Sequence, residues 1–136
     1  NLKANFYSFT DSTFKEDSVF VSRDIYFEFA TYTLHKDSNL NSYDILDSIV
    51  KFLKINKSIA IEVSWHRDER GSNRCCQNLS QRRAQTIKDY LTEHGINPVR
   101  ITAKGYGDTK PIIKNAKTEE EHYINRRAEF KILRKE

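Results

Sequence analysis

The chain has 136 residues, enough for one domain and too few for two of ordinary size. A domain of this length buries roughly two-thirds of its unfolded surface, so it needs neither a metal nor a disulfide to fold. Charged residues make up 31% of the chain, above the ~25% of an average protein, which predicts a strongly solvated surface. No apolar run approaches the roughly 18 residues of a transmembrane helix, and the net charge of +4 suits an anionic partner without choosing one. Met is absent and Asn1 comes first, as expected of a mature or excised fragment whose signal peptide or anchor lies elsewhere. The two cysteines, Cys75 and Cys76, are adjacent. That spacing fits neither a disulfide framework nor a zinc site, and small, partly buried thiols are expected.

Residues 1–17 show no clear period and read as a linker or N-terminal arm. Val19-Phe20-Val21 is expected as a short edge strand. Ile25, Phe27 and Phe29 alternate with Tyr26, Glu28 and Ala30, the two-residue period of a half-buried strand. From about Asn39 to Lys54 the apolar residues Leu40, Tyr43, Leu46, Ile49, Val50 and Leu53 recur every three or four positions, which predicts a helix with Ser38 as N-cap. Period two returns over Ser58 to His66, with Ile59, Ile61, Val63 and Trp65 on one face. A polar stretch, Arg67 to Arg74, turns at Gly71. A second helix is expected from about Gln77 to His94, closed by Gly95 at the C′ position and by Pro98. Ile101 to Gly105 reads as a third strand and Asp108 to Tyr123 as a polar loop. In the last strand Ala128, Phe130 and Ile132 alternate with Arg127, Glu129 and Lys131. Strands separated by helices favour a sheet with helical crossovers packed on it.

The informative segment is Ser64-Trp65-His66-Arg67-Asp68-Glu69-Arg70-Gly71-Ser72, followed by Leu79-Ser80-Gln81-Arg82-Arg83-Ala84. These blocks resemble the OmpA-like peptidoglycan-binding family, matching its hallmark at His66, Asp68, Gly71, Ser72, Leu79, Ser80, Arg83 and Ala84. Further blocks follow in the family's order: Ile25 to Ala30, Gly95-Ile96, Arg100-Ile101, Gly105 to Asp108 with Pro111, and Asn125-Arg126-Arg127-Ala128-Glu129-Phe130. The resemblance covers about residues 19 to 133. Its closing blocks, Glu121-His122 onward, are similar to versions found in Bacteroidetes envelope proteins.

The resemblance implies an α+β fold, an OmpA-like βαβαββ sandwich whose mixed sheet carries helices on one face, spanning residues 18–136. It implies a non-catalytic domain without cofactor or metal. Such a domain sits in the periplasm with the outer membrane and binds the diaminopimelate of the peptidoglycan stem peptide, tethering an envelope protein to the wall. Outer-membrane or envelope proteins are expected as further partners, nucleic acid is not, and membrane attachment is expected only through an anchor outside this sequence.

Diaminopimelate ends in an ammonium and a carboxylate on one carbon. Asp68 is expected to accept from the first, and Arg83 to clamp the second with two parallel bonds that lysine does not offer. Phe29, Ala30 and Thr31 are implied as a backbone and ring contact surface, and Leu79 as packing for the ligand's methylenes. His66, Asn125 and Arg127 are expected to orient the pocket, and Arg126 and Arg127 each to pair with an acid. Trp65, Arg67 and Cys75-Cys76 depart from the family's Gly, Thr and Tyr-Asn. Trp65 extends the core face by alternation, Arg67 sets an extra cation beside Asp68, and the cysteines fall in the loop before the second helix.

Three other readings compete. One is an envelope scaffold on the same fold with weakened or lost wall binding. Another is a thiol hydrolase using Cys75 or Cys76 with His66 and Asp68, which lacks a recognisable oxyanion-hole glycine arrangement. The third is nucleic-acid binding, for which Lys51, Lys54, Lys57, Arg126, Arg127, Lys131, Arg134 and Lys135 are scattered over too many elements to form a groove reader.

Overall fold

The computed structural model describes residues 17–23, 25–27, 32–34, 42–68 and 73–135, with backbone alone at 73–77 and 134–135. In chain order these hold β1 (Val19–Ser22), α1 (Ser42–Ile55), β2 (Ile59–His66), α2 (Asn73–Glu93), a 3-10 turn (Pro98–Arg100), β3 (Ile101–Gly107), α3 (Glu119–Asn125) and β4 (Arg127–Lys135). The strands form one sheet in the order β1-β4-β2-β3. β4 runs antiparallel to both β1 and β2, while β2 and β3 are parallel. A parallel pair needs a long crossover, and α2 supplies it. The fold is therefore α+β with a mixed sheet, as the sequence implies.

Alternation along the strands decides which face the helices cover. Ile59, Ile61, Val63 and Trp65 of β2 share a face with Ile132, Phe130 and Ala128 of β4, opposite one another in register at Ile61–Ile132, Val63–Phe130 and Trp65–Ala128. Against this face pack Ile45, Leu46, Ile49 and Leu53 of α1 and Ala84, Ile87 and Leu91 of α2, all in one buried cluster. The other face carries Glu62, Ser64 and His66 opposite Lys131, Glu129 and Arg127. Opposite charges on neighbouring strands support such a polar face.

Two devices lock helices to strands. A Cβ at Gly105 would lie 2.1 Å from the backbone nitrogen of Gln81, so the absent side chain lets α2 rest directly on β3. Gln81 answers across that contact: its Nε2 donates to the Ala103 carbonyl at 3.0 Å, and its Oε1 accepts from the Gly105 amide at 2.8 Å. These bonds occupy backbone groups of an edge strand that would otherwise be open to pairing. At the opposite end of the sheet, Arg100 donates to the carbonyls of Ile59, Leu53 and Asn56 at 2.8–2.9 Å and so ties the end of α1 to the start of β2.

Two local expectations change, and a third lies partly outside the described residues. The strand expected over Ile25–Ala30 is represented at Phe27 alone, in an isolated bridge to Leu34, with residues 28–30 outside the described residues. Ile25 is buried as the alternation requires, and the Tyr26 amide donates to the Ser42 hydroxyl at 2.7 Å. The second helix starts at Asn73, four residues before the expected start, so Cys75 and Cys76 lie on helical backbone and not in a loop. The expected loop Asp108–Tyr123 contains most of α3, whose Thr118 and Glu121 form a reciprocal capping box. The proposed Ser38 cap and nearly all of the 1–17 arm lie outside the described residues. Gly95 does take the left-handed conformation expected at C′, with φ of 102°.

Candidate functional site

Because β4 is antiparallel to β1 and β2, the ends of β1 and β2 and the beginning of β4 meet at one end of the sheet. Asp68 lies two residues beyond β2 and is 7% exposed. A carboxylate that buried needs a partner. Its Oδ2 accepts from Arg126 Nη1 at 2.7 Å. The intervening Arg67 donates to the Asp68 backbone carbonyl at 2.8 Å and pairs with Asp108 at 3.2 Å. The cation resting on the Asp68 carboxylate at 2.7 Å thus comes from a residue 58 positions away in the chain.

Arg83 rises from α2 over an aromatic platform. Phe27 and Trp65 meet edge to face at 5.0 Å, and the guanidinium carbon of Arg83 stands 5.0 Å from the Phe27 ring centre and 5.6 Å from that of Trp65. A cation over such ring faces is held by the ring quadrupole. Trp65 therefore extends the core, as alternation predicts, and also carries the arginine. Asp68 and Arg83 are thus gathered around the same end of β2. Leu79 sits one turn before Arg83 on the same side of α2 and is half-buried. Phe29, Ala30 and Thr31 lie outside the described residues.

The residues expected to orient the pocket are buried and densely bonded. Asn125 both accepts from the Ile113 amide at 2.9 Å and donates to the Ile113 carbonyl at 3.0 Å. Arg127 donates to Glu129 Oε2 at 2.7 Å, to the Asn125 carbonyl at 2.7 Å and to the Lys110 carbonyl at 2.8 Å. Together they fix the segment before α3 and the start of β4. Arg126, held between two inward-facing neighbours, is directed outward to Asp68.

His66 is 1% exposed, with Nε2 2.9 Å from the Ser64 hydroxyl and its ring stacked on Tyr106 at 5.1 Å. Burial first, then the cations Arg127 and Lys110, push its pKa down to about 4 against the opposing pull of Glu129. The ring is therefore neutral at pH 7 and acts as packing.

Beside this cluster opens a cavity of about 250 Å³, lined among others by Arg23, Tyr26, Phe27, Trp65, Tyr123 and Arg126. Arg23 Nη2 donates to the Ile124 carbonyl at 2.6 Å and Nε to that of Tyr123 at 3.3 Å, which anchors the end of α3 there. The sequence alone does not single out Arg23, Tyr26 or Tyr123, and it presents Arg126 as an arginine paired with some acid or as one of several scattered basic residues. The adjacency of Arg126 to Arg127 in the Asn-Arg-Arg block was the available signal. Among the described residues no helix is long and apolar enough to cross a membrane.

Comparison with known proteins places this arrangement. Residues 26–126 match the model of the OmpA family. Over 92 residues the chain is 39% identical to the outer membrane porin F of Pseudomonas fluorescens, which covers 68% of this chain but only 28% of that porin, so the chain spans less than a third of that relative. The cell wall anchor of the T6SS from Pseudomonas aeruginosa superposes with a TM-score of 0.71 at 30% identity, covering 87% of this chain and 82% of that one. The peptidoglycan-associated lipoprotein from Burkholderia pseudomallei gives a TM-score of 0.66 at 25% identity, covering 79% and 87%. With a family model matching residues 26–126 and a mixed sheet joined by a helical crossover as in the superposed cell wall anchor, the chain belongs to the OmpA family.

Proposed function

We propose that this domain binds cell-wall peptidoglycan non-covalently, gripping the diaminopimelate of the stem peptide and so tethering an outer-membrane protein or envelope complex to the wall from the periplasm. The observation that carries the reading is the gathering of Asp68 and Arg83 around one end of β2 in a member of the OmpA family. Similarity to a cell wall anchor and to a peptidoglycan-associated lipoprotein supports it.

In this reading Asp68 accepts from the ligand's side-chain ammonium, which takes over the position of Arg126 Nη1. Arg83, pre-oriented on Phe27 and Trp65, clamps the neighbouring carboxylate through two parallel bonds. Phe29, Ala30 and Thr31 supply amides and a ring at the edge of the slot, and Leu79 packs on the methylenes. His66, Asn125 and Arg127 hold the frame. No step makes or breaks a covalent bond, so the domain is a binder and not an enzyme.

Each charge-assisted bond nets about 1.5–3 kcal/mol, against about 4–15 kcal/mol of lost rigid-body freedom, so a single pocket binds free ligand modestly. Tethering beside a polymeric wall raises the effective concentration and makes modest affinity sufficient.

One observation favours a second reading, a protein-contact scaffold on the same fold: the 2.7 Å Arg126–Asp68 pair already satisfies the carboxylate. Co-sedimentation with purified sacculi separates the two. Wall binding predicts that the parent sediments and that Asp68→Ala and Arg83→Ala each lose most of that binding while remaining folded. A folded parent that stays in the supernatant supports the scaffold.

A further inference from the structure

The cavity beside Asp68 is rich in cations. Arg23, Arg126 and Arg127 all line it. Two carboxylates offset them: Asp68 pairs with Arg126 at 2.7 Å and Glu129 with Arg127 at 2.7 Å. Arg23 bonds only to carbonyls in its described hydrogen bonds, those of Tyr123 and Ile124, so it adds fixed positive charge to the rim. At about 250 Å³ the space is below the roughly 300–1,000 Å³ of sites that swallow a whole drug-sized ligand, and fits one small group of a larger ligand. It is continuous with the candidate charge pair through shared walls: Arg126 reaches from the cavity to Asp68, and Phe27 and Trp65 line the cavity while carrying Arg83.

The Arg126–Asp68 pair also sets a condition on binding. A ligand ammonium that takes Asp68 releases the Arg126 guanidinium, whose side chain is 41% exposed and stands 5.9 Å from the centre of the Tyr123 ring on the cavity wall. A released arginine beside a cationic cavity is best matched by a second ligand anion. The peptidoglycan stem has one close by: the residue preceding diaminopimelate is a glutamate linked through its side-chain carboxyl, which leaves its α-carboxylate unbonded.

We propose that this cavity is a second subsite that takes the free α-carboxylate of the stem residue preceding diaminopimelate, and that binding is an exchange of ion pairs. The ligand's ammonium replaces Arg126 on Asp68, and Arg126 turns to the ligand's α-carboxylate, with Arg23 as a fixed neighbouring cation. This rests on the diaminopimelate reading of Asp68 and Arg83 and adds to it a preference for stems in which that carboxylate is unmodified. The exchange leaves the Asp68 carboxylate, only 7% exposed, paired with a cation throughout, as a buried charge requires.

The test is a calorimetric titration of the full chain with two synthetic stem tripeptides that differ in one group, a free α-carboxylate or an α-amide on the residue before diaminopimelate. The parent is expected to bind the acid about tenfold more tightly than the amide, the worth of one charge-assisted bond. In Arg126→Gln that preference is expected to fall to less than about twofold, and Arg126→Lys to retain part of it. Circular dichroism checks that both variants fold, and the acid–amide comparison on the parent needs no variant. Equal binding of acid and amide to the parent overturns the subsite while leaving the diaminopimelate grip standing. A preference that survives intact in Arg126→Gln overturns the exchange. If neither peptide binds the parent, the subsite and the reading beneath it fall together.

Discussion

Asn125, Arg126 and Arg127 are three polar neighbours with two different jobs. Asn125 is fully buried and spends its amide on both backbone groups of Ile113, while Arg127 spends its guanidinium on two carbonyls and Glu129. Replacing Asn125 with Ala removes both bonds and leaves Ile113 to find other partners. Urea denaturation of Asn125→Ala is expected to show a loss of about 1–3 kcal/mol. A loss below about 0.5 kcal/mol would mean that the clamp is ornamental. The Asn-Arg-Arg block is visible in the sequence, and alternation from Arg127 onward assigns that side chain to the polar face. That Arg126 reaches Asp68 across 58 positions is tertiary information, set by antiparallel pairing of β2 with β4, and no local pattern announces it. The Phe27–Trp65 platform is similarly hidden: alternation put both rings on the core side without revealing that an arginine rests on them.

Where periodicity was strong, the elements emerged close to their observed bounds. α1, β2 and β4 each bury one clean apolar stripe, and Gly95 ends the second helix where its φ of 102° permits. α3 escaped because its seven residues carry no apolar stripe; only its Thr118–Glu121 capping box marked it. α2 begins at Asn73, ahead of the Leu79, Ile87 and Leu91 spacing by which a helix is recognisable in the sequence. The contact of α2 with β3 is the most sharply testable packing feature. Gly105→Ala places a methyl group 2.1 Å from the Gln81 nitrogen, and backbone, unlike a flexible side chain, does not yield cheaply. The variant is expected to lose about 3 kcal/mol or more in thermal or urea unfolding. Since α2 also carries Arg83, its retention by sacculi should fall too. A stable Gly105→Ala variant with parental binding contradicts this view of how α2 is seated.

Across the molecule as a whole, the helix-covered face makes the core, the polar face buries His66, and one end of the sheet gathers the charges. The buried histidine predicts a pH profile. In the folded protein it stays neutral until about pH 4, whereas in the unfolded chain it takes a proton near 6.5. Between those values the unfolded state binds more protons, so stability rises with pH from about 4 to 6.5 and is flat above. The His66 contribution lost on acidification from pH 7.5 to 4 is on the order of 3 kcal/mol. Urea unfolding of the parent and of His66→Gln at both pH values isolates it: the parent should lose about that much more than the variant. Parallel losses would place the acid sensitivity elsewhere.

The proposed grip is tested most directly by comparing a stem tripeptide that ends in diaminopimelate with one that ends in lysine, titrated calorimetrically into the parent, Asp68→Ala and Arg83→Ala. Lysine keeps the side-chain ammonium and lacks the second carboxylate. We expect the diaminopimelate peptide to bind the parent, the lysine peptide to bind at least about tenfold more weakly, and both variants to lose the difference. Equal binding of the two peptides, or a difference untouched by either substitution, would contradict a grip on the paired ammonium and carboxylate by Asp68 and Arg83.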